Sequence, residues 1–193
     1  QVSRPGIGKD SFQEIDITGA SLPVTKHNYL VMNASEIPQV VKEAFHIATT
    51  GRPGPVLIDI PRDVFMEEVE FDSSYWEQDI EILGYKPPKF ADNTQVDKAI
   101  KLIEQSKRPV ILAGHGVIIS KAYEELLKLA ESAQIPVVTT LLGISSFPEN
   151  HVLSLSFPGM HGVAWASLAL DQADLIIAIG SRFDDRITGD TSR

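Results

Sequence analysis

Short apolar runs alternate with segments of helical periodicity across the second half of the chain, and this alternation limits the possible folds more than any other feature. The runs 109–113, 135–139 and 174–179 each have the length and the flanking residues of a buried strand. Strands that alternate with helices are joined by right-handed crossovers, which place helices on both faces of a parallel sheet. We therefore predict an α/β fold with a doubly wound, Rossmann-like parallel sheet.

Three helices are predicted around these strands. The first starts near Asn93, the second is capped by Ser120, and the third runs from His161 to about Ala173. We assign residues 93–193 to one domain and expect it to be incomplete at its C-terminal end, because the sequence stops in a turn just after an apolar strand.

Residues 1–66 predict the last part of a separate α/β domain. After a loop-rich stretch, a helix capped by Ser35 ends before Gly51, and a strand follows between prolines at 55–61. Residues 67–92 break every period, so we interpret them as a linker without chemistry of its own. Since the chain also begins without Met, we expect a segment of a longer protein.

Charge and cysteine content exclude several functions. The formal net charge is −9, with 17 basic and 26 acidic residues and no basic cluster, which is a poor match for nucleic acid or an anionic membrane. The chain has no cysteine, and no spacing of His, Asp and Glu resembles a metal site. We therefore expect no metal site in this segment and no nucleic-acid or membrane partner.

Glycine-bearing turns follow the predicted strands. They are Gly114-His115-Gly116, Thr140-Leu141-Leu142-Gly143 and Gly180-Ser181-Arg182, and a predicted helix opening adds Gly159-Met160-His161-Gly162. Ligands of parallel sheets bind at the carboxyl ends of the strands, where glycine lets a phosphate approach the backbone. These turns favour an extended nucleotide-like ligand, although strand-to-helix turns need glycine for their own geometry as well.

Two departures from the dinucleotide fingerprint argue against ordinary NAD binding. Ile119 occupies the third glycine position, and the second strand ends in Thr139-Thr140 rather than in an acidic residue. A cofactor held mainly through its diphosphate fits better.

The densest charged cluster is Arg182-Phe183-Asp184-Asp185-Arg186, directly after a predicted strand. Its arginines are suited to bidentate contacts with phosphates or with a substrate carboxylate, and its aspartates to ordering them. An ion-paired surface turn without function is the alternative.

Several motifs together resemble the catalytic (large) subunits of acetolactate synthase, also called acetohydroxyacid synthase. They are Gly8-Lys9-Asp10-Ser11-Phe12-Gln13-Glu14, Thr25-Lys26-His27-Asn28-Tyr29, Gly51-Arg52-Pro53-Gly54-Pro55, Gly159-Met160-His161-Gly162 and Gly180-Ser181-Arg182-Phe183-Asp184-Asp185-Arg186. The resemblance covers essentially the whole chain, and only Lys9 and Ser11 depart from the usual pattern.

The resemblance implies an enzyme that condenses two 2-keto acids, pyruvate with pyruvate or 2-ketobutyrate, with loss of CO2 in branched-chain amino-acid synthesis. Residues 1–66 would then end the pyrimidine-binding domain, and 93–193 would form most of a central FAD-binding domain. Thiamine diphosphate and Mg²⁺ would be held mainly by parts outside this chain, so the segment alone is expected to be inactive. A cytoplasmic homo-oligomer (dimer or tetramer) with a regulatory small subunit is implied for a bacterial enzyme.

The same resemblance assigns roles to individual residues. Gln13 would be catalytic, near the thiamine. Substrate contacts would come from Phe12, Lys26, Met160 and Arg186. FAD contacts would come from Arg52, Gly114, His115, Gly116, Thr140, Leu141, Leu142, Gly159, Met160, His161, Gly162, Gly180, Ser181, Arg182, Phe183 and Asp184.

Two alternatives stay open from the sequence. The first is another thiamine-diphosphate carboligase or decarboxylase, such as glyoxylate carboligase. The second is a nucleotide-binding or assembly module without chemistry of its own.

Overall fold

The computed structural model describes residues 1–189, and the chain divides into two compact units, Gln1–Phe90 and Ala91–Arg193. Residues 190–193 of the predicted second domain lie outside the described residues. No helix within residues 1–189 is both long enough and apolar enough to cross a bilayer.

The first unit contains a two-stranded parallel sheet. Its elements are α1 (Ile17–Ser21), β1 (His27–Leu30), α2 (Ile37–Thr49), β2 (Val56–Asp59) and α3 (Arg62–Phe65). In the sheet His27 lies opposite Val56 and Leu30 opposite Asp59. The sequence predicts loop with short pieces of structure up to about residue 29, and β1 is one such piece. It could not be identified as a strand because its first two positions are polar and it has no continuous apolar run.

Helix α2 forms where periodicity predicts it but begins differently. A single 3₁₀ turn, Ala34–Glu36, precedes it, so Ser35 lies in that turn and is not the helix cap. Pro38 lies in the first turn of α2, where a missing N–H costs nothing. Gly51 follows the helix at φ +58°, a conformation that favours glycine.

The predicted linker packs on the first unit. It contains a 3₁₀ turn, Ser73–Glu77, and an isolated antiparallel bridge between Ile82 and Tyr85. Lys42 of α2 donates from Nζ to the backbone oxygen of Tyr75 at 2.8 Å. This segment is therefore an ordered part of the first unit up to about residue 90.

The second unit confirms the predicted α/β fold with a parallel sheet. Its elements are α4 (Asn93–Gln105), β3 (Pro109–Ala113), α5 (His115–Ser120), α6 (Tyr123–Ala133), β4 (Val137–Thr139), α7 (Ala164–Gln172), β5 (Leu175–Ile179) and α8 (Asp185–Thr188). The strand order is β4-β3-β5, all parallel. The chain goes from β3 to β4 on one side of β3 and then crosses to β5 on its other side. The topological switch point of the sheet therefore lies between β3 and β5.

The central strand β3 builds a core on each face of this sheet. Ile111 and Ala113 pack with Val117 and Leu126 on one face, whereas Leu112 packs on the other face among α7 side chains. Successive side chains of a strand point to opposite faces, which is why a continuous apolar run fits this position. Each fully buried aliphatic side chain stabilises the fold by about 1.5–3 kcal/mol.

Two helix boundaries differ from the prediction. Ser120 ends α5 and donates from Oγ back to the Gly116 oxygen at 2.8 Å, so it does not cap the next helix. Lys121 at φ +57° then separates α5 from α6. Helix α7 begins at Ala164 rather than at His161.

Candidate functional site

The turns after β3, β4 and β5 meet at one edge of the second unit's sheet. Gly114 donates its N–H to the Ile179 oxygen at 2.8 Å, and Thr140 donates its N–H to the Ala113 oxygen at 2.9 Å. The His115 ring adds a link, since its Nδ1 lies 2.9 Å from the Leu142 oxygen. We call the three turns, 114–116, 140–143 and 180–182, the carboxyl rim.

The glycines of the carboxyl rim serve the contact between turns. A Cβ atom on Gly114 would lie 2.5 Å from Ser181 Cα, and one on Gly116 would lie 2.6 Å from Gly180 Cα. Gly180 is at φ +61° as well. These glycines therefore have a role in turn packing, because neighbouring backbone fills the space that a Cβ atom would take. Their expected role in letting a phosphate approach the backbone stays a prediction.

Large side chains stand exposed around the carboxyl rim. Leu141 is 65% exposed, Leu142 69% and Phe183 64%. Exposed apolar side chains that lie close together mark a surface that binds a ligand or another protein surface.

The charged cluster after β5 is ordered by Asp184. Its Oδ2 lies 3.1 Å from Arg182 Nη2, and its Oδ1 accepts the N–H of Arg186 at 3.1 Å where α8 begins. Arg186 is 85% exposed, with its Nε 3.8 Å from Asp185 Oδ2. The predicted ordering role of the aspartates is thus visible for Asp184, while Arg186 presents its guanidinium to solvent.

Residues 159–162 form a loop before α7 and do not open a helix. Gly159 lies at φ +100°, and a Cβ atom there would be 3.7 Å from the Arg186 oxygen. Met160 is 89% exposed, and His161 is exposed. The structure therefore brings this loop beside Arg186, and His161 has no helix N-terminus to support it, contrary to the prediction.

In the first unit, Phe12 and Gln13 stand at the tip of a tight loop. Phe12 is 88% exposed, and Gln13 has φ +62°, which is uncommon for a residue with a side chain. Glu14 fastens the loop by accepting the N–H of Ser11 at 2.8 Å and that of Gly8. These backbone donors, Ser11 first, hold the pKa of Glu14 below its usual value.

Sequence reasoning missed the part that Glu14 plays in this loop. The signal was present, because a serine followed three residues later by glutamate is the capping-box pattern. The pattern did not predict this contact, because a capping box implies a helix that begins at the next residue, and α1 begins only at Ile17.

Lys26 and Arg52 occupy different environments in the first unit. Lys26 is half-buried, and its Nζ donates to the Ile47 and Thr50 oxygens, each at 2.5 Å. Arg52 is exposed in the turn that follows α2. Tyr85, which also contacts Lys26, was not singled out from the sequence, because nothing in the linker's composition marks it.

The rim residues fit a ligand that combines a ring system with phosphates. Ser181 has a buried Oγ without a hydrogen-bond partner among the described residues, and Arg182 offers an exposed cation beside it. Leu141, Leu142 and Phe183 supply the apolar surface. Within residues 1–189, no group of three His, Asp or Glu side chains is placed to hold a metal ion.

The chain is similar to several known proteins. Residues 96–193 match the family described as thiamine pyrophosphate enzyme, central domain. Similar curated proteins include the acetolactate synthase large subunit of Corynebacterium glutamicum and the probable acetolactate synthase large subunit of Methanocaldococcus jannaschii, each 52% identical over 190 residues. The acetolactate synthase of Mycobacterium bovis is 50% identical over 189 residues.

The matches cover 98% of this chain but only 30% to 32% of each of these relatives. The chain thus spans less than half of the length of the curated relatives it matches.

Proposed function

We propose that this chain, which belongs to the thiamine pyrophosphate enzymes, is a segment of the catalytic subunit of an acetolactate synthase. The observation that carries the proposal is that 98% of the segment matches proteins of that name at 52% sequence identity. The assembled carboxyl rim, with Arg182 and exposed apolar side chains, supports it from the structure.

The carboxyl rim would hold FAD. The exposed leucines of the 140–143 turn and Phe183 would cover the flavin ring, and Arg182 would bind the phosphates. His115, whose ring is anchored on the Leu142 oxygen, would line the same surface. In this reaction FAD supplies no net redox chemistry.

The segment's proposed contributions to the reaction are substrate recognition and positioning. When bound, thiamine diphosphate supplies a carbon nucleophile and an electron sink for decarboxylation. Arg186 would bind the carboxylate of the second keto acid, and Met160, in the loop beside it, would pack on the alkyl group. Phe12 and Gln13 would lie near the bound thiamine diphosphate and the substrate, in the loop that Glu14 fastens.

Further features of the whole enzyme are implied by the resemblance and remain part of the proposal. Residues 1–66 would end the pyrimidine-binding domain, and 93–193 would form most of the central FAD-binding domain. Thiamine diphosphate and Mg²⁺ would be bound mainly outside this chain. We expect a cytoplasmic homo-oligomer that acts on 2-keto acids and associates with a regulatory small subunit.

The test uses the full-length protein that contains this segment. Purified protein should carry a flavin absorbance and, with thiamine diphosphate and Mg²⁺, should convert pyruvate to acetolactate with release of CO2. Glyoxylate should be the poorer substrate. Faster turnover of glyoxylate would instead favour a glyoxylate carboligase, and flavin binding without turnover of any 2-keto acid would favour a nucleotide-binding module.

A further inference from the structure

Lys26 uses every donor of its ammonium group inside the first unit. Its Nζ donates to the Ile47 and Thr50 oxygens at 2.5 Å and to the Tyr85 hydroxyl at 2.9 Å. A lysine ammonium has three N–H bonds, and here three acceptors are within reach. A substrate carboxylate would have to displace one of them to bind Lys26.

Two of these acceptors belong to the C-terminal end of α2. The last carbonyls of a helix have no amide partner within the helix and lie at the negative end of its dipole. A half-buried cation at this place stabilises the helix end. The end of α2 therefore accounts for two of the three hydrogen bonds of the Lys26 ammonium group.

Lys26 also holds the turn from Gly51 to Pro55, which carries Arg52. Its backbone N–H donates to the Pro55 oxygen at 2.7 Å, at the far end of the turn. The Lys26 side chain lies along the turn, since a Cβ atom on Gly54 would be 3.5 Å from Lys26 Cβ. The turn is thus wrapped around Lys26, with Thr50 bound at one end and Pro55 at the other.

Tyr85 completes this arrangement from the segment that follows β2. Its hydroxyl lies 3.0 Å from Thr50 Oγ1, and its ring meets the His46 ring edge-on at 5.9 Å. The hydrogen bonds from Lys26 and then Thr50 hold the pKa of Tyr85 below its usual value. Tyr85 therefore fixes the same helix end that Lys26 caps.

We propose that Lys26 and Tyr85 are positioning residues that fix the turn bearing Arg52, and that Lys26 does not bind substrate directly. The expected effect on FAD binding rests on the proposed function, because it is the resemblance that assigns Arg52 to FAD. This positioning role replaces the substrate contact that the resemblance implies for Lys26. Its structural part, the fixing of the turn, holds for any function.

The test is a double-mutant cycle in the full-length protein with Lys26→Met, Tyr85→Phe and the pair. Each single variant should weaken FAD binding about three- to tenfold and leave the KM for pyruvate within about twofold. The double variant should bind FAD as tightly as the more affected single variant, because both substitutions release the same turn. Additive losses of FAD affinity in the double variant would overturn the inference. So would a tenfold rise in the KM for pyruvate of Lys26→Met without loss of FAD affinity, if Tyr85→Phe changed neither quantity.

Hydrogen exchange of the backbone amides from residue 50 to 57 provides a readout that does not need activity. Exchange should accelerate in both single variants. Lys42→Met is the matched control, because Lys42 also donates to backbone oxygens from α2 but at Tyr75 and Gln78, and it should change neither exchange in this turn nor FAD affinity. Unchanged exchange in both test variants would overturn the inference, whether or not the protein makes acetolactate. Absence of acetolactate formation by the parent protein would overturn the proposed function and leave this inference standing.

Discussion

Gly116 donates its backbone N–H to the Gly180 oxygen over 2.9 Å, and a Cβ atom on Gly116 would stand 2.6 Å from Gly180 Cα. The turns after β3 and β5 are therefore in backbone contact at the switch point of the sheet. Since the turns are in contact, a ligand bound at this edge would have to lie over them and not in a gap between them.

Gly116→Ala should destabilise the second unit, because the added methyl group meets backbone that has no side chain to rotate away. Overpacking of this kind costs about 1–3 kcal/mol. We expect a lower thermal midpoint for the full-length protein, measured in the absence of FAD. Gly54→Ala is the control, since its Cβ would lie 3.5 Å from Lys26 Cβ, an ordinary contact.

The same pair of variants separates two explanations of the glycine. If Gly116 were required only for the approach of a phosphate, Gly116→Ala would have the thermal midpoint of the parent protein in the absence of FAD. It would lose only FAD affinity. That result would contradict the turn-packing explanation.

The strands of the second unit could be predicted because their apolar runs are continuous, whereas β1 could not. The run from Val110 to Ala113 is buried on both faces, so every position is apolar. Strand β1 begins with His27 and Asn28, and the Asn28 amide is satisfied by the Thr18 oxygen and Ser21 Oγ. Those partners come from α1, and no local pattern announces them.

The candidate site was predictable in its parts but not in its contacts. Parallel strands place their following turns at one edge, so the meeting of the three turns follows from the predicted fold. The loop 159–162 was misread as a helix start because Gly, Met and His carry no cap signal that fixes the first residue of α7. The saturation of Lys26 depends on Tyr85, which lies 59 residues further along the chain.

Asp174 should make the second unit sensitive to acid. Its carboxylate accepts hydrogen bonds from Ser106 Oγ at 2.5 Å and from the N–H groups of Lys107 and Arg108 at 2.8 Å, and these bonds, that of Ser106 first, lower its pKa from 3.8 to about 2. A lowered folded pKa means that the stabilisation is complete above pH 3.8 and is lost as the pH falls towards 2.

The measurement is the thermal midpoint of the parent protein and of Asp174→Asn between pH 7 and pH 3. The variant should be less stable at pH 7, and the difference should shrink as the pH falls below about 4. Asp171→Asn, at an exposed carboxylate on α7, is the control and should show no such convergence. A difference that stays constant over the whole range would contradict the role of Asp174.

Phe183→Ala should weaken FAD binding by about tenfold, equivalent to about 1.4 kcal/mol, because an exposed ring that the flavin would cover is removed. The FAD dissociation constant of the full-length protein, followed by flavin fluorescence, measures the loss. Val152→Ala is the matched control. Val152 is 89% exposed and adjoins Leu153, whose oxygen accepts from Val137 at the opposite end of β4. Equal effects of the two substitutions would contradict a flavin site on the carboxyl rim.

Arg186→Ala should impair the second half of the reaction selectively. Hydrogen bonds to charged groups contribute about 1.5–3 kcal/mol, so kcat/KM for the second keto acid should fall about 10- to 100-fold. FAD affinity should change little, because Arg182 and Phe183 remain and Asp184 still bonds to Arg182. Lys128→Ala removes one exposed positive charge from α6 and should leave both quantities unchanged. Formation of acetolactate at the parent rate by Arg186→Ala, with pyruvate below saturation, would remove Arg186 from the proposed substrate site.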